Sequence, residues 1–264
     1  MSDPLSVAVF GASGRMGRSV LRALGERDDV RIAAALVRGG SALDGCTVGG
    51  DGISAELRYH STLPDGARVL IDFSGAAGFD AALALALDRG CAFVSGSTGL
   101  APAQRAALER ASASIPLLWS ANFSLGVALL SKLVAAAARA LPEWDCEIVE
   151  AHHERKRDAP SGTALALGRD VAAAREQAFD AVARFSYADA PRRSGDIGFA
   201  VVRAADIVGE HTVLFATPGE RLELVHRATD RMIFARGAVA AARWIAGRPA
   251  RRYALTDMFE STPA

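Results

Sequence analysis

Short apolar runs alternate with helical patterns through the first half of this 264-residue chain. That alternation limits the fold more than any other feature. Leu5 to Phe10, Arg31 to Val37, Val69 to Phe73, Cys91 to Ser95 and Pro116 to Trp119 read as strands. Helical stretches follow the first of them and run over Phe79 to Leu87 and Pro102 to Ala113. Strands separated by helices of this length predict a parallel, doubly wound α/β sheet of Rossmann-like type. One departure is Ser41 to Gly66, rich in Gly, Ser and Asp, which is expected to be a long irregular excursion.

The first apolar run ends directly at Gly11-Ala12-Ser13-Gly14-Arg15-Met16-Gly17, and Met16, Val20, Leu21 and Leu24 then fall on one side of a helix. Strand, glycine turn and helix is the arrangement in which backbone N–H groups at a helix start receive a pyrophosphate. The spacing Gly-x-x-Gly-x-x-Gly is a weak signal alone, since a plain tight turn would also show it. The second strand strengthens it, because its end falls about twenty residues on, where an adenosine ribose would lie. That end reads Val37-Arg38, with no carboxylate to accept the ribose hydroxyls. Arg38, with Arg15 from the turn, instead suits a 2′-phosphate and favours NADPH, with NADH possible. The bland alternative for Arg38 is a solvated loop charge.

Ligands of parallel sheets sit outside the carboxyl ends of the strands. Three small, polar strand ends fall there: Asp72-Phe73-Ser74, Gly96-Ser97-Thr98-Gly99 and Ser120-Ala121-Asn122-Phe123. Each could be an ordinary turn; together they predict a cofactor rim.

The pattern then changes. Ser124 to Leu141 reads as a long helix with few charges, closed by Pro142, and the domain crossover is placed there. Trp144 to Ala151 reads as a strand and Ser161 to Glu176 as a helix, followed by strand-like runs over Asp196 to Arg203, Ile207 to Ala216 and Arg221 to Ala228. Consecutive strands without intervening helices predict an α+β domain with a mixed or antiparallel sheet, one face covered by helices. Val201, Val213, Phe215 and Leu224 are candidates for an apolar second face. A sheet apolar on both faces continues into a subunit interface, so a homo-oligomer built on this sheet is expected. Arg231 to Ala246 is an amphipathic helix predicted to return to the first domain. The expected domains are therefore 1–123 with 232–264 for the dinucleotide, and 124–231 for substrate and oligomerisation.

Within the second domain, Glu150-Ala151-His152-His153-Glu154-Arg155-Lys156-Arg157-Asp158-Ala159-Pro160-Ser161-Gly162-Thr163-Ala164-Leu165 gathers most of the versatile side chains. A proton donor, a fixed cation and a helix start with free N–H groups fall close together, equipment for holding a small carboxylate while protonating it. A His-His pair is otherwise structural or metal-binding about as often as catalytic. No third ligand has sensible spacing, although Glu154 is near, so no metal is expected. His60, His211 and His226 stand alone and read as structural.

Bulk properties exclude several classes. Lys plus Arg equals Asp plus Glu at 30 each, so no overall field draws the chain to nucleic acid or an anionic membrane. Cys46, Cys91 and Cys146 are odd in number and widely spaced, which argues against a disulfide framework and for reduced, half-buried thiols in a cytoplasmic protein. Met1-Ser2-Asp3-Pro4 lacks the pattern of a signal peptide, and no apolar run approaches the ~20 residues a membrane span needs.

Taken together these motifs resemble the 4-hydroxy-tetrahydrodipicolinate reductase (dihydrodipicolinate reductase) family over nearly the whole length. The glycine turn, Asp72-Phe73-Ser74, Gly96-Ser97-Thr98-Gly99, Ala121-Asn122-Phe123-Ser124 and the His-His…Lys…Ser-Gly-Thr block all match. So do Ile197-Gly198-Phe199 and Asp206-Ile207-Val208-Gly209-Glu210-His211-Thr212. The resemblance implies NAD(P)H-dependent reduction of a cyclic dicarboxylate in diaminopimelate and lysine biosynthesis. By motif it implies His152 as proton donor, with Lys156 assisting, and substrate contacts from His153, Lys156, Gly162 and Thr163. It further implies cofactor contacts from Gly11, Ala12, Ser13, Gly14, Arg15, Met16, Gly96, Ser97, Thr98, Ser120, Ala121, Asn122 and Phe123.

Two departures stand out. Members that use NADH well commonly carry an acid where this chain has Val37, and the loop from Ala178 to Ser194 is shorter and less glycine-rich than usual. Ser74 and Ser97 stand where threonine is usual and keep the hydroxyl. The alternative enzyme reading is a reductase of another small keto or imino acid, separated by turnover on the named substrate. A reading of another class, a non-catalytic nucleotide sensor, is opposed by the presence of both His152 and Lys156.

Overall fold

The computed structural model describes residues 3–50, 52–188 and 190–260, so the start Met1-Ser2 lies outside the described residues. It divides into one unit of Met1–Phe123 with Met232–Ala264 and another of Ser124–Arg231.

The first unit begins with β1 (Leu5–Phe10), α1 (Arg15–Gly25), β2 (Val30–Leu36) and β3 (Tyr59–His60). It continues through β4 (Val69–Asp72), α2 (Ala76–Asp88), β5 (Ala92–Ser95), α3 (Pro102–Ala111) and β6 (Leu117–Trp119). In the second unit, α4 (Leu125–Ala140), β7 (Asp145–His152), α5 (Gly162–Ala174), α6 (Phe179–Val182) and β8 (Ala183–Arg184) are followed by β9 (Ile197–Arg203), β10 (Gly209–Thr217) and β11 (Glu220–Ala228). The chain returns to the first unit with α7 (Met232–Ile245) and β12 (Arg252–Tyr253).

The first sheet has the order β12-β6-β5-β4-β1-β2-β3, with every pairing parallel. Its central strands are buried throughout, as a sheet covered on both faces requires. The core packs Leu36, Leu70, Phe79, Phe93, Leu108 and Leu117 together. Strand order reverses between β1 and β4, the position where such sheets open a crevice at their carboxyl ends. The excursion 41–66 is mostly irregular, as expected, but β3 lies inside it and pairs with β2. Arg18 on α1 anchors the excursion by donating to the Val48 and Gly49 carbonyls at 3.1 and 2.9 Å.

The second sheet is mixed, in the order β11-β10-β7-β9-β8. β7 pairs antiparallel with β10 and parallel with β9, so it separates two strands that follow each other in sequence. Leu130 and Val134 from α4 and Leu167 and Val171 from α5 cover one face, against Cys146, Ile148, Ile197, Phe199, Val213 and Phe215.

The assignment of residues to the open face needs correction. Val213 lies opposite Ile148 and Leu224, and Phe215 opposite Cys146, so these residues share the helix-covered face. Val201, two residues beyond Phe199, is in the same phase. The open face instead carries Val149, Val202 and Val225, which are exposed by 39%, 44% and 42%. The loop expected over Ala178 to Ser194 contains α6 and β8, and Asp189 within it lies outside the described residues. Cys91 and Cys146 are fully buried rather than half-buried, burial pushing the Cys146 thiol up to about 12, while Cys46 is exposed. Among the described residues no helix is long and apolar enough to cross a membrane.

Candidate active site

In the first unit the glycine turn closes on the end of β4. Gly11 has φ +77°, and a β-carbon there would come within 2.9 Å of the Phe73 carbonyl carbon. Gly17 lets α1 approach, since its β-carbon would run into the Gly11 carbonyl. Ala12 N–H donates to the Leu36 carbonyl at 3.1 Å, which ties the turn to the end of β2, two residues before Arg38. Gly14 caps α1 without a side chain, and the first-turn N–H groups of a helix have no partner within it. Arg15 and Arg38 are both exposed.

Asp72 joins this turn to the neighbouring strand end. Its Oδ1 accepts from Ser74 N–H and Oγ at 2.9 and 2.6 Å, and its Oδ2 accepts from the Ser95 and Ser97 hydroxyls at 2.8 and 2.7 Å. Ser97 Oγ also receives the Gly75 N–H at 2.9 Å. The third rim segment is attached through Trp119, whose indole donates to the Ser97 carbonyl, and through Ser120 N–H to the Ser95 carbonyl. The Phe73 ring packs edge-on to Phe123 and fills the space a side chain on Gly96 would need. The glycine turn, Gly96–Thr98 and Ser120–Phe123 are thus linked around Phe73. With glycines at three positions of a turn at a helix start, and with Arg15 and Arg38 exposed, they fit a dinucleotide.

In the second unit β7 ends at His152. Glu150, two residues earlier, shares its face, and its Oε2 lies 2.6 Å from His152 Nδ1. Arg203 donates to both Glu150 oxygens at 2.8 Å, and Ser161 N–H donates to Oε1 at 3.0 Å. Glu150 is 1% exposed. Burial acts to raise its pKa, but the hydrogen bonds from Arg203, His152 and Ser161 together hold it below the usual carboxylate range. His152 is shifted down, because burial outweighs the raising effect of Glu150 and Lys156 and Arg203 add to the lowering.

Two further histidines fasten helices to the sheet. His211 meets the hydroxyl of Ser161, the α5 cap, at 3.1 Å, and His226 meets Ser124, the α4 cap, at 3.2 Å. Each serine also accepts from its own helix, at Ala164 and Val127 N–H. Burial, then His152, brings His211 down to about 4, which keeps it neutral.

Lys156 lies in the loop after β7, and its ammonium reaches the Asp158 carboxylate at 2.8 Å. The Gly162 backbone at the start of α5 also helps to lower the Asp158 pKa. Lys156 above all holds Asp158 below its ordinary pKa. His153 Nδ1 is buried without a hydrogen-bond partner among the described residues. The structure therefore groups His152, Lys156, Gly162 and Thr163 around the start of α5. Sequence reasoning missed Glu150, Arg203 and Asp158 as members of the group. The spacing Glu-x-His on a strand could have revealed Glu150, since alternate residues share a face.

A glycine-rich turn at a helix start on a parallel sheet, and a histidine with a carboxylate-holding lysine on a mixed one, define an NAD(P)H-dependent oxidoreductase. Two family models match in succession: "Dihydrodipicolinate reductase, N-terminus" over residues 5–123, and "Dihydrodipicolinate reductase, C-terminus" over residues 126–259. The chain belongs to the dihydrodipicolinate reductase family. It is 47% identical over 259 residues to the 4-hydroxy-tetrahydrodipicolinate reductase of Stenotrophomonas maltophilia (strain K279a), covering 97% of this chain and 98% of that one. The corresponding enzyme of Xanthomonas campestris pv. campestris (strain B100) is 46% identical over 257 residues, with the same coverage. A dipicolinate-bound dihydrodipicolinate reductase from Paenisporosarcina sp. TG-14 superposes with a TM-score of 0.76 at 21% identity, over 97% of this chain and 100% of that one, and shares the fold.

Proposed function

We propose that this protein reduces 4-hydroxy-tetrahydrodipicolinate to tetrahydrodipicolinate with NAD(P)H, in the cytoplasm. The observation that carries this reading is Asp158. A carboxylate already rests on Lys156, four residues after His152, close to the start of α5. A substrate carboxylate would take that place, and Asp158, whose side chain is 59% exposed, would turn to solvent.

Held by the glycine turn and the strand ends of the first sheet, NAD(P)H would supply hydride for a ring carbon of the unsaturated substrate. His152 then gives a proton to the carbon where electron density has accumulated, and its imidazole is left neutral. Lys156 balances the negative charge of the substrate and assists that transfer. Two arriving carboxylates draw the His152 pKa upward and so load the acid when it is needed. His153 and Thr163 complete the substrate contacts. Gly11, Ala12, Ser13, Gly14, Arg15 and Met16 would receive the pyrophosphate, with Gly96–Thr98 and Ser120–Phe123 along the cofactor. Arg38 would meet a 2′-phosphate, which favours NADPH over NADH.

The test is oxidation of NADPH and NADH in parallel with freshly made substrate, on the parent and on Arg38→Ala. Turnover is expected with both cofactors, and the variant should lose roughly tenfold in NADPH affinity, as for one lost charge-assisted contact, while NADH changes little. No turnover on this substrate would end the reading; equal effects on the two cofactors would remove only the role of Arg38.

The open face of the second sheet, with Val149, Val202 and Val225, is proposed as the surface through which a homotetramer forms. Light scattering should find Val225→Glu in a smaller species than the parent; an unchanged mass would exclude that face.

A further inference from the structure

Each hydrogen bond to Glu150 comes from a different part of the second unit. His152 Nδ1 belongs to the same strand, Arg203 ends the neighbouring strand β9, and Ser161 N–H begins α5. Arg203 reaches on to the Asp158 carbonyl at 2.7 Å, so it also braces the loop that carries Lys156. Both oxygens of one buried carboxylate are therefore occupied by the acid, by a guanidinium and by the helix start.

We infer that Glu150, paired with Arg203, is a positioning residue: it holds the His152 proton on Nδ1, leaves Nε2 as the atom that delivers the proton, and locks this aim to the α5 start. The inference rests on the reading of His152 as the acid.

A ring nitrogen 2.6 Å from a carboxylate must donate to it, and this selects the Nδ1–H form of the neutral imidazole. The opposite edge is kept clear. Gly209 on β10 has no side chain, and a β-carbon there would come to 3.1 Å from Nε2. During transfer the Nε2–H bond breaks, its electron pair stays on nitrogen, and the proton passes to the substrate carbon. The imidazole that remains is the one Glu150 already binds, so no side chain has to turn.

Charge supplies the second half of the argument. The groups facing His152 are Glu150 on its own strand, Arg203 from β9, Lys156 from the following loop, and His211 from β10, whose ring centroid lies 5.2 Å away. Arg203 and Lys156 favour the neutral imidazole, as burial does, and Glu150 opposes them. Removing the Glu150 charge must lower the His152 pKa further. A general acid loses activity as pH rises through its pKa, so the descending limb of the pH profile must move to lower pH.

The experiment compares full-length parent, Glu150→Gln and the double variant Glu150→Gln/Arg203→Gln, which strands no buried guanidinium. Measured for each are kcat and KM against pH, cofactor affinity, and the His152 pKa by NMR titration. Both variants should show a kcat roughly 10²-fold lower, on the scale of misplaced acid catalysis. The limb and the NMR pKa should fall together, with cofactor affinity within about twofold in both variants and KM within about twofold in Glu150→Gln, the size of a 0.4 kcal/mol effect. A His152 pKa unchanged in the folded variants would overturn the inference, and the lost activity would then be a packing effect. If His152→Gln keeps parental turnover, the acid assignment itself fails. If His152→Gln is inactive while Glu150→Gln behaves as the parent, only the positioning role fails.

Discussion

Asp72 in the first unit and Glu150 in the second are both buried carboxylates, yet they are satisfied in opposite ways. Asp72 is fully buried and receives three serine hydroxyls and one backbone N–H, all neutral donors. Glu150 receives a guanidinium through both oxygens, an imidazole and a backbone N–H. The first arrangement fixes the ends of β4 and β5 and holds no titrating partner. The second holds His152, the group proposed to give up its proton. A neutral shell suits a rim that must keep its shape, and a charged shell suits a donor whose pKa must be set.

Substitutions can break that contrast. The largest effect is expected for His152→Gln, which should lower kcat by roughly 10²–10⁴-fold with cofactor affinity unchanged, measured by steady-state kinetics and cofactor titration. Near-parental turnover would leave the charged shell without a purpose. A smaller effect, on stability, is expected for Asp72→Asn. The hydroxyls can rotate to accept from the amide, but either Ser74 N–H and its hydroxyl, or the Ser95 and Ser97 hydroxyls, lose their acceptor. A loss of about 1–3 kcal/mol should follow, read by chemical unfolding. The pH profile of the residual activity should keep the parental limb. A displaced limb in Asp72→Asn would mean that both carboxylates tune protons, and the contrast would fail.

Much of the first unit was legible in the sequence, for a physical reason. Strands buried on both faces are continuous apolar runs, and β1, β4 and β5 show them with turn residues at their ends. The two-residue strands β3 and β8 are too short to carry any period and are set by pairing with distant neighbours. The second sheet was legible as a set of strands but not as two faces. Val213 and Phe215 are apolar and so are Leu214 and Ala216 beside them, so alternation alone does not say which set meets the helices. The site divided in the same way. His152, Lys156 and the Ser161 cap stand in one short stretch. Arg203 lies 53 residues from Glu150 and becomes its partner only through the parallel pairing of β7 with β9.

The edge strand β12 has a consequence for the order in which the molecule is made. It pairs with β6 through Arg252 and Leu117 and closes one side of the first sheet, while α7 packs against α1 with Gly237 pressed on the Phe123 carbonyl. Both follow the second unit in the chain and are synthesised after it. The first unit therefore leaves the ribosome with its β6 edge unpaired and waits through the whole of residues 124–231 before that edge is covered. An exposed strand edge is an invitation to wrong pairing, and in this protein its protection depends on how promptly the intervening unit folds and lets the chain return.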